Sequence, residues 1–389
     1  MASSLKFEDV GLLGKLGLLP WGLVILITVM AITGTAMLCS AASTNPAGAC
    51  LWLQHLTRFG LSFVVMIVLA LCPLSLWMRV AFPAYLGTIV LLILVEVMGV
   101  TGGGAQRWLQ IGPVALQPSE FAKLAVTIAL ARYYQMMIST STSPFTSGFL
   151  IHLGALLIML VPAALIFKQP DFGTTLALVA SGGVIIFLAG LYGRAIALAI
   201  VGVVAAVPPL YFFVLAEYQK ERVDTFLSQL LGESTNALGE SYQIEQAKIA
   251  TGSGGWNGKG FLQGIQSQQD FVPEQHTDFI LTVVAEEFGF IGTSALFIAF
   301  GAILGWGLLI ALKSRSWFGR LAAAGATAII AFYIVFNVGM VLGLLPVVGM
   351  PLPLISYGGT AMLTSMACFG LILSVHIHRD DRMAARGLI

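Results

Sequence analysis

The sequence predicts an all-α polytopic membrane protein, a bundle of about ten transmembrane helices with one long extracytoplasmic loop. Composition is the first reason. The chain is 58% hydrophobic and 10% charged with a mean hydropathy of +0.93, outside the range of a soluble domain of this length. The second is the recurrence of apolar runs near the length of about 20 residues that crosses a hydrocarbon core. They lie near 18–40, 57–77, 80–99, 117–137, 148–167, 172–190, 195–215, 278–312, 321–345 and 355–377. The third is the one-sided placement of basic residues. Short loops on one side carry Arg79, Arg132, Arg194, Lys313, Arg315 and Arg320, and the tails add Lys6, Lys15, Arg379, Arg382 and Arg386. Against these eleven cations the short loops on the opposite side carry Arg58, Arg107 and Lys168. The positive-inside rule then places both termini in the cytoplasm and every odd-numbered loop outside.

The elements follow in order. Lys6 and Lys15 before the first run, and small residues near Ser40, Ala41 and Ala42 after it, resemble a secretory signal. The run is read as a retained span, because its loss would leave nine spans starting outside. Cys39 and Cys50 flank the first outer loop and are placed to pair, whereas Cys72 and Cys368 lie within apolar runs as small hydrophobes. No separate soluble domain is expected, and 1–389 reads as one integral membrane domain. Its long interruption, 216–277, is read as an outer loop with a helix-like stretch from Ser241 to Ala250 and then a glycine-rich run. That run, Gly252 to Gly260, fails as a phosphate loop: Ser253 stands where the first glycine belongs and Gly260 where Ser or Thr is required. Gly102-Gly103-Gly104 fails as a dinucleotide fingerprint for a similar reason. A net charge of +1 with no dense basic stretch excludes a nucleic-acid partner.

Chemistry is expected where charge enters the apolar runs. The eighth run is too long, about 52 Å from Asp278 to Leu312 against a core of about 30 Å, so part of it must tilt or project. That places Asp278 at an outer mouth, with Glu286 and Glu287 about two turns deeper. Asp278 or Thr277 equally suits a helix cap, and both readings stay open at this point. In the fourth run Glu120 and Lys123 share a face. A charge in a span costs about 2.5–3.5 kcal/mol, so such residues face a cavity or a partner, and an internal ion pair that locks packing is the other reading. Arg107 precedes this run and Asp171 opens the sixth, both on the outer side. Cations and carboxylates converging there suit a pyrophosphate and a hydroxyl to be activated. Glu96 reads as structural, and His55 and His152 as packing residues at span edges.

Five ordered stretches carry a resemblance: Gly104-Ala105-Gln106-Arg107-Trp108-Leu109, Gln117-Pro118-Ser119-Glu120-Phe121-Ala122-Lys123, Lys168-Gln169-Pro170-Asp171-Phe172-Gly173-Thr174, Pro273-Glu274-Gln275-His276-Thr277-Asp278-Phe279 and Pro353-Leu354-Ile355-Ser356-Tyr357-Gly358-Gly359. Together they resemble the signatures of the SEDS family, named for shape, elongation, division and sporulation. Gln275, where the division (FtsW) branch usually has Ala, and the stretch Gln263 to Gln268 resemble the rod-shape (RodA) branch. The resemblance implies a peptidoglycan glycosyltransferase that polymerises lipid II on the outer membrane face during cell elongation. Asp278 would be the catalytic base. Arg107 and Lys123 would face the pyrophosphate, and Glu120 and Asp171 would orient groups or bind metal. His276 joins the substrate-binding candidates. A divalent cation, Mg2+ or Mn2+, is also implied, with no organic cofactor, although the sequence shows no compact ligand set.

Two other classes are weighed. A lipid II flippase would show polar groups serving both faces or inverted repeats with broken helices, and neither pattern is present. The third is a noncatalytic scaffold, which glycan synthesis by the purified chain would separate from the other two. No Ser-x-x-Lys nucleophile stands in an outer domain, so peptide crosslinking falls to a partner. The resemblance implies a class B penicillin-binding transpeptidase, with other elongation-complex membrane proteins alongside.

Overall fold

The computed structural model describes residues 11–41, 51–102, 105–112, 114–140, 148–190, 197, 201–202, 205, 208–215, 217–231, 240–269, 271, 274–381, 383–384 and 387–388. The helices are α1 (Leu12–Gly17), α2 (Trp21–Ala41), α3 (Leu51–Leu71), α4 (Leu74–Met98), α5 (Pro118–Thr140), α6 (Gly148–Lys168) and α7 (Phe172–Leu188). After them come α8 (Glu217–Leu230), α9 (Glu240–Ser253), α10 (Ile265–Gln268), α11 (Ile280–Lys313), α12 (Trp317–Val341) and α13 (Gly359–Ile377). Among the described residues seven helices are long and apolar enough to cross a membrane. α5, which carries Glu120, Lys123 and Arg132, and the shorter α7 fall outside that set yet pack within the same bundle. Nine of the 21 residues of the run expected at 195–215 lie outside the described residues, as does Cys50 and with it any pairing to Cys39.

The bundle is mostly helical, as expected, with three details added. β1 (Val100–Gly102), β2 (Ala105–Ile111) and β3 (Val114–Leu116) form a small antiparallel sheet in that order, with Val100 opposite Trp108 and Leu109 opposite Leu116. A second small pair, β4 (Met383–Ala384) and β5 (Gly387–Leu388), closes the C-terminal tail. The second and third runs begin near Leu51 and Leu74, because Pro73 ends one helix and opens the next. Within 216–277 the described residues form α8, α9 and α10, with α9 covering the helix-like stretch expected there.

The overlong eighth run is resolved by a break. Gly289 leaves helical geometry at φ 63° and ψ −158°, so residues 290–313 form the long piece, about 36 Å at 1.5 Å per residue. A break frees helix carbonyls and amides that an apolar setting cannot solvate. The glycine-rich run supplies their partners. Lys259 N and Gly260 N donate to the carbonyls of Glu286 and Glu287 at 3.0 and 2.9 Å, while Phe290 N and Ile291 N donate to Gly255 O and Trp256 O at 2.9 and 3.2 Å. The approach needs glycine. A Cβ on Gly258 would stand 2.1 Å from Glu287 O, and one on Gly289 2.3 Å from Gly258 N. Glu286 fastens the same strap, accepting from Lys259 Nζ at 2.7 Å, Gln266 N at 2.9 Å, and Ser267 N and Oγ at 3.1 and 2.7 Å. Ser40 of α2 donates to Glu287. Both carboxylates therefore serve the architecture of the break.

The core centres on α12 and α13, whose side chains are mostly buried between α3, α5, α7 and α11. Between them the chain runs unwound, burying Val347, Val348, Met350, Leu352, Leu354 and Ile355. Irregular backbone is tolerated in a membrane bundle only where protein encloses it or where it lines a cavity. This segment does both.

A candidate active site where five motif stretches converge

Three of the five stretches meet at Asp171. The β-sheet carries Arg107 to within 4.0 Å of Asp171 Oδ1, and a second guanidinium nitrogen of Arg107 donates to Pro170 O. The opening of α5 adds Gln117 Nε2 and Ser119 Oγ, which donate to Asp171 Oδ2 at 2.7 and 3.1 Å. Asp171 is also the N-cap of α7, accepting from Thr174 N at 3.3 Å. Its buried carboxylate is thus committed to donors already present. That fits the expected orienting role and leaves little of it for a metal.

The other two stretches meet at Asp278. Tyr357 N donates to His276 O at 2.9 Å, tying the turn before α11 to the unwound segment. Asn337 of α12 ties them again, donating to Asp278 O and Met350 O, each at 2.7 Å. Asp278 does not cap α11: its N-cap is Phe279, with no side-chain cap. Among the described residues no donor reaches the Asp278 carboxylate, and Oδ2 faces Gly349, 3.5 Å from where a Cβ would stand. Burial holds the carboxyl up at about 7; Glu274 in the same turn pushes in the same direction, and Arg222 opposes both. A carboxylate without donors and poised near neutral pH suits proton abstraction.

A small cavity lies between the neighbours of Asp171 and the segment that faces Asp278. Arg107, Pro170 and Phe172 line it from the Asp171 side, Pro346, Val347 and Val348 from the segment facing Asp278, and Gln219 and Arg222 from α8. Two guanidiniums on an otherwise largely apolar wall suit an anionic group carried on a hydrophobic tail.

Lys123 is placed differently from the expectation. It is 0% exposed and lines no part of that cavity. Its Nζ lies 2.7 Å from Glu120 Oε1, bonds Tyr333 OH and sits 4.2 Å from the centre of that ring, while Tyr333 OH donates to Glu120 Oε1 at 2.6 Å. The pair joins α5 to α12, the packing arrangement left open above, and does not present a cation to the cavity. Glu120 is likewise withdrawn from an orienting role at the substrate. Glu96 pairs with Lys168 at the surface, and Tyr134 OH lies 2.9 Å from His152 Nδ1. Among the described residues no group of three or more His, Cys, Asp or Glu stands together, so His276 and Asp278 gain no further metal ligands.

Sequence reading missed Arg222, Gln219 and Asn337. The first two stood in a charged stretch read as loop. Asn337 had a signal: it is the single amide side chain in an otherwise apolar span, where a polar group requires a partner.

The chain matches the FtsW/RodA/SpoVE family, described as cell cycle protein, over residues 15–381. It belongs to that family. Peptidoglycan glycosyltransferase MrdB of Escherichia coli (strain K12) is 41% identical over 326 residues, spanning 84% of this chain and 85% of that one. The probable peptidoglycan glycosyltransferase FtsW of Trichlorobacter lovleyi is 34% identical over 364 residues, spanning 91% and 93%. Among solved structures, a chain of a peptidoglycan synthase complex that coordinates polymerization and crosslinking superposes with a TM-score of 0.79 at 29% identity, over 94% of this chain and 99% of that one. Rod shape determining protein RodA of Thermus thermophilus gives 0.67 at 27% identity, over 94% and 98%. Family membership fits the convergence of the five stretches, and the SEDS reading stands.

Proposed function

We propose that this chain is the elongation-type peptidoglycan glycosyltransferase of its membrane, joining lipid II units into β-1,4 glycan with inversion at the anomeric carbon. The observation that carries the reading is the donor-free, partly buried carboxylate of Asp278, held near pKa 7 beside a cavity bearing Arg107 and Arg222. Asp278 takes the proton of the acceptor 4-hydroxyl as that oxygen attacks the anomeric carbon of the donor. The donor's bond to pyrophosphate breaks on the opposite face, and the two guanidiniums offset the departing charge. Asp171 holds Arg107 in place. His276 shapes the turn through its carbonyl.

A resident metal does not fit this donor set, since Asp171 is engaged by donors already present and, among the described residues, Asp278 belongs to no group of three or more ligating side chains. The divalent cation implied by resemblance enters, on this reading, with the substrate. The excess of basic residues on the other loops supports an outward-facing site in a cytoplasmic membrane, with both termini inside. The likeness to a synthase complex supports a class B penicillin-binding transpeptidase as partner, with elongation-complex proteins around the pair. The greater identity to MrdB than to FtsW supports elongation over division.

The test is polymerisation of lipid II by the purified chain with its transpeptidase, wild type against Asp278→Asn. Loss of a general base costs about 10² to 10⁴ in rate. The substitution leaves both backbone ties intact, so the variant should fold, bind the transpeptidase and make almost no glycan. Polymerisation above about a third of the wild-type rate, far short of that loss, would remove Asp278 from the mechanism.

A further inference from the structure

We infer that Asn337 is a positioning residue for the general base, a bracket that sets where the Asp278 carboxylate stands against the cavity wall; the inference rests on the reading of Asp278 given above. Asn337 is 0% exposed and projects from near the C-terminal end of α12, 59 residues from Asp278 and 13 from Met350. Its amide nitrogen has two hydrogens, and the geometry uses both, one for Asp278 O and one for Met350 O, each at 2.7 Å. Among the described residues neither carbonyl has another donor. Each lies where the backbone cannot provide one. Thr282 N, which a continuing helix would turn back to Asp278 O, instead bonds Phe279 O at 2.9 Å. Met350 lies in the unwound segment, preceded by Gly349 at φ +71°, where no helical amide turns back to its carbonyl.

The two held segments are the ones that face each other across the carboxylate. Asp278 Oδ2 lies 3.5 Å from the Cβ position of Gly349, next to Val347 and Val348, which line the cavity. Beside the Tyr357 N–His276 O tie, this side chain braces the two segments at the carboxylate itself, between the base and the wall against which the acceptor sugar must lie. It does so from an element that itself contributes nothing to the cavity lining. Misplacement of a reacting group by about 1 Å can cost on the order of 10² in rate, so the bracket acts on turnover more than on affinity. The groups whose charge bears on Asp278 are Glu274 in its own turn and Arg222 on α8; α12 presents only the neutral amide there.

The experiment compares wild type, Asn337→Asp, Asn337→Ser and Asp278→Asn in one lipid II polymerisation assay across pH, with unfolding temperatures measured in the same detergent. Asn337→Asp keeps the shape but turns a carboxylate toward two carbonyls. Asn337→Ser keeps one donor for two acceptors. The expected result is a fall of about 10² or more in kcat for Asn337→Asp with KM for lipid II within about threefold. Asn337→Ser should be intermediate, with its acidic limb displaced to lower pH as the freed carboxyl gains water. Wild-type kcat in Asn337→Asp overturns the bracket. So does loss of activity that only tracks unfolding, with the limb of Asn337→Ser unmoved. If Asp278→Asn is active, the general-base reading itself has failed. If Asp278→Asn is inactive while both Asn337 variants turn over normally, only the bracket falls.

Discussion

Lys123→Met tests the reassignment of the buried pair from substrate to architecture. In the wild type, Lys123 Nζ satisfies Glu120 at 2.7 Å within a site that water does not reach. Methionine fills a similar volume but carries no charge, so Glu120 keeps only the Tyr333 hydroxyl at 2.6 Å. Its other oxygen has no partner among the described residues. Breaking a buried pair from one side costs about 3–5 kcal/mol, two to three and a half powers of ten in the folded population, against a total stability of about 5–15 kcal/mol. Removing both charges is a different perturbation. Glu120→Leu with Lys123→Met leaves Tyr333 OH to find an acceptor but no uncompensated ion, and replacing a buried pair by apolar groups is often close to neutral. Equilibrium unfolding in mixed micelles, followed by tryptophan fluorescence, measures all three chains. The double variant should recover most of what the single one loses. A Lys123→Met chain within about 1 kcal/mol of wild type, or a double variant no better than the single, would refute an architectural ion pair.

Three further outcomes are expected. The acidic limb of the pH–rate profile should sit near 7 in the wild type, move down in Glu274→Gln, which removes a charge that raises the Asp278 pKa, and move up in Arg222→Gln, which removes one that lowers it; unmoved limbs in both variants would dissociate the profile from Asp278. Because the Asp278 carboxyl titrates near 3.8 when unfolded and about 7 when folded, the folded chain holds the extra proton between those values. Stability from this group is therefore present below about 4 and lost as pH rises through 7, so Asp278→Asn should be the more stable chain above pH 7 and no more stable at pH 4 by thermal unfolding. Gly258→Ala should undock the strap, since its Cβ would stand 2.1 Å from Glu287 O at φ +76°, and hydrogen exchange should then rise at Phe290 and Ile291, whose amides the strap now occupies.

The bundle was legible because transfer to hydrocarbon is a local property: each apolar run reports its own length, whatever it packs against. The five site stretches were legible because polar residues inside such runs are costly and stand out. The hairpin carrying Arg107 was missed although Gly112-Pro113 separates two short alternating stretches, since one span-length window averages that alternation away. The break at Gly289 could not be read from α11, whose residues 280–313 are mostly apolar, with Glu286, Glu287 and Lys313 the charged exceptions. Its partner is the glycine run, distant in sequence, and neither half makes sense without the other's hydrogen bonds. The fate of the charged residues also depended on the whole fold. Lys123 and Arg107 look alike in sequence, two cations on the outer half of the chain. Packing enclosed the first between Glu120 and Tyr333 and left the second on a cavity wall beside Asp171, because burial is set by all the neighbouring helices together and not by the span a residue belongs to.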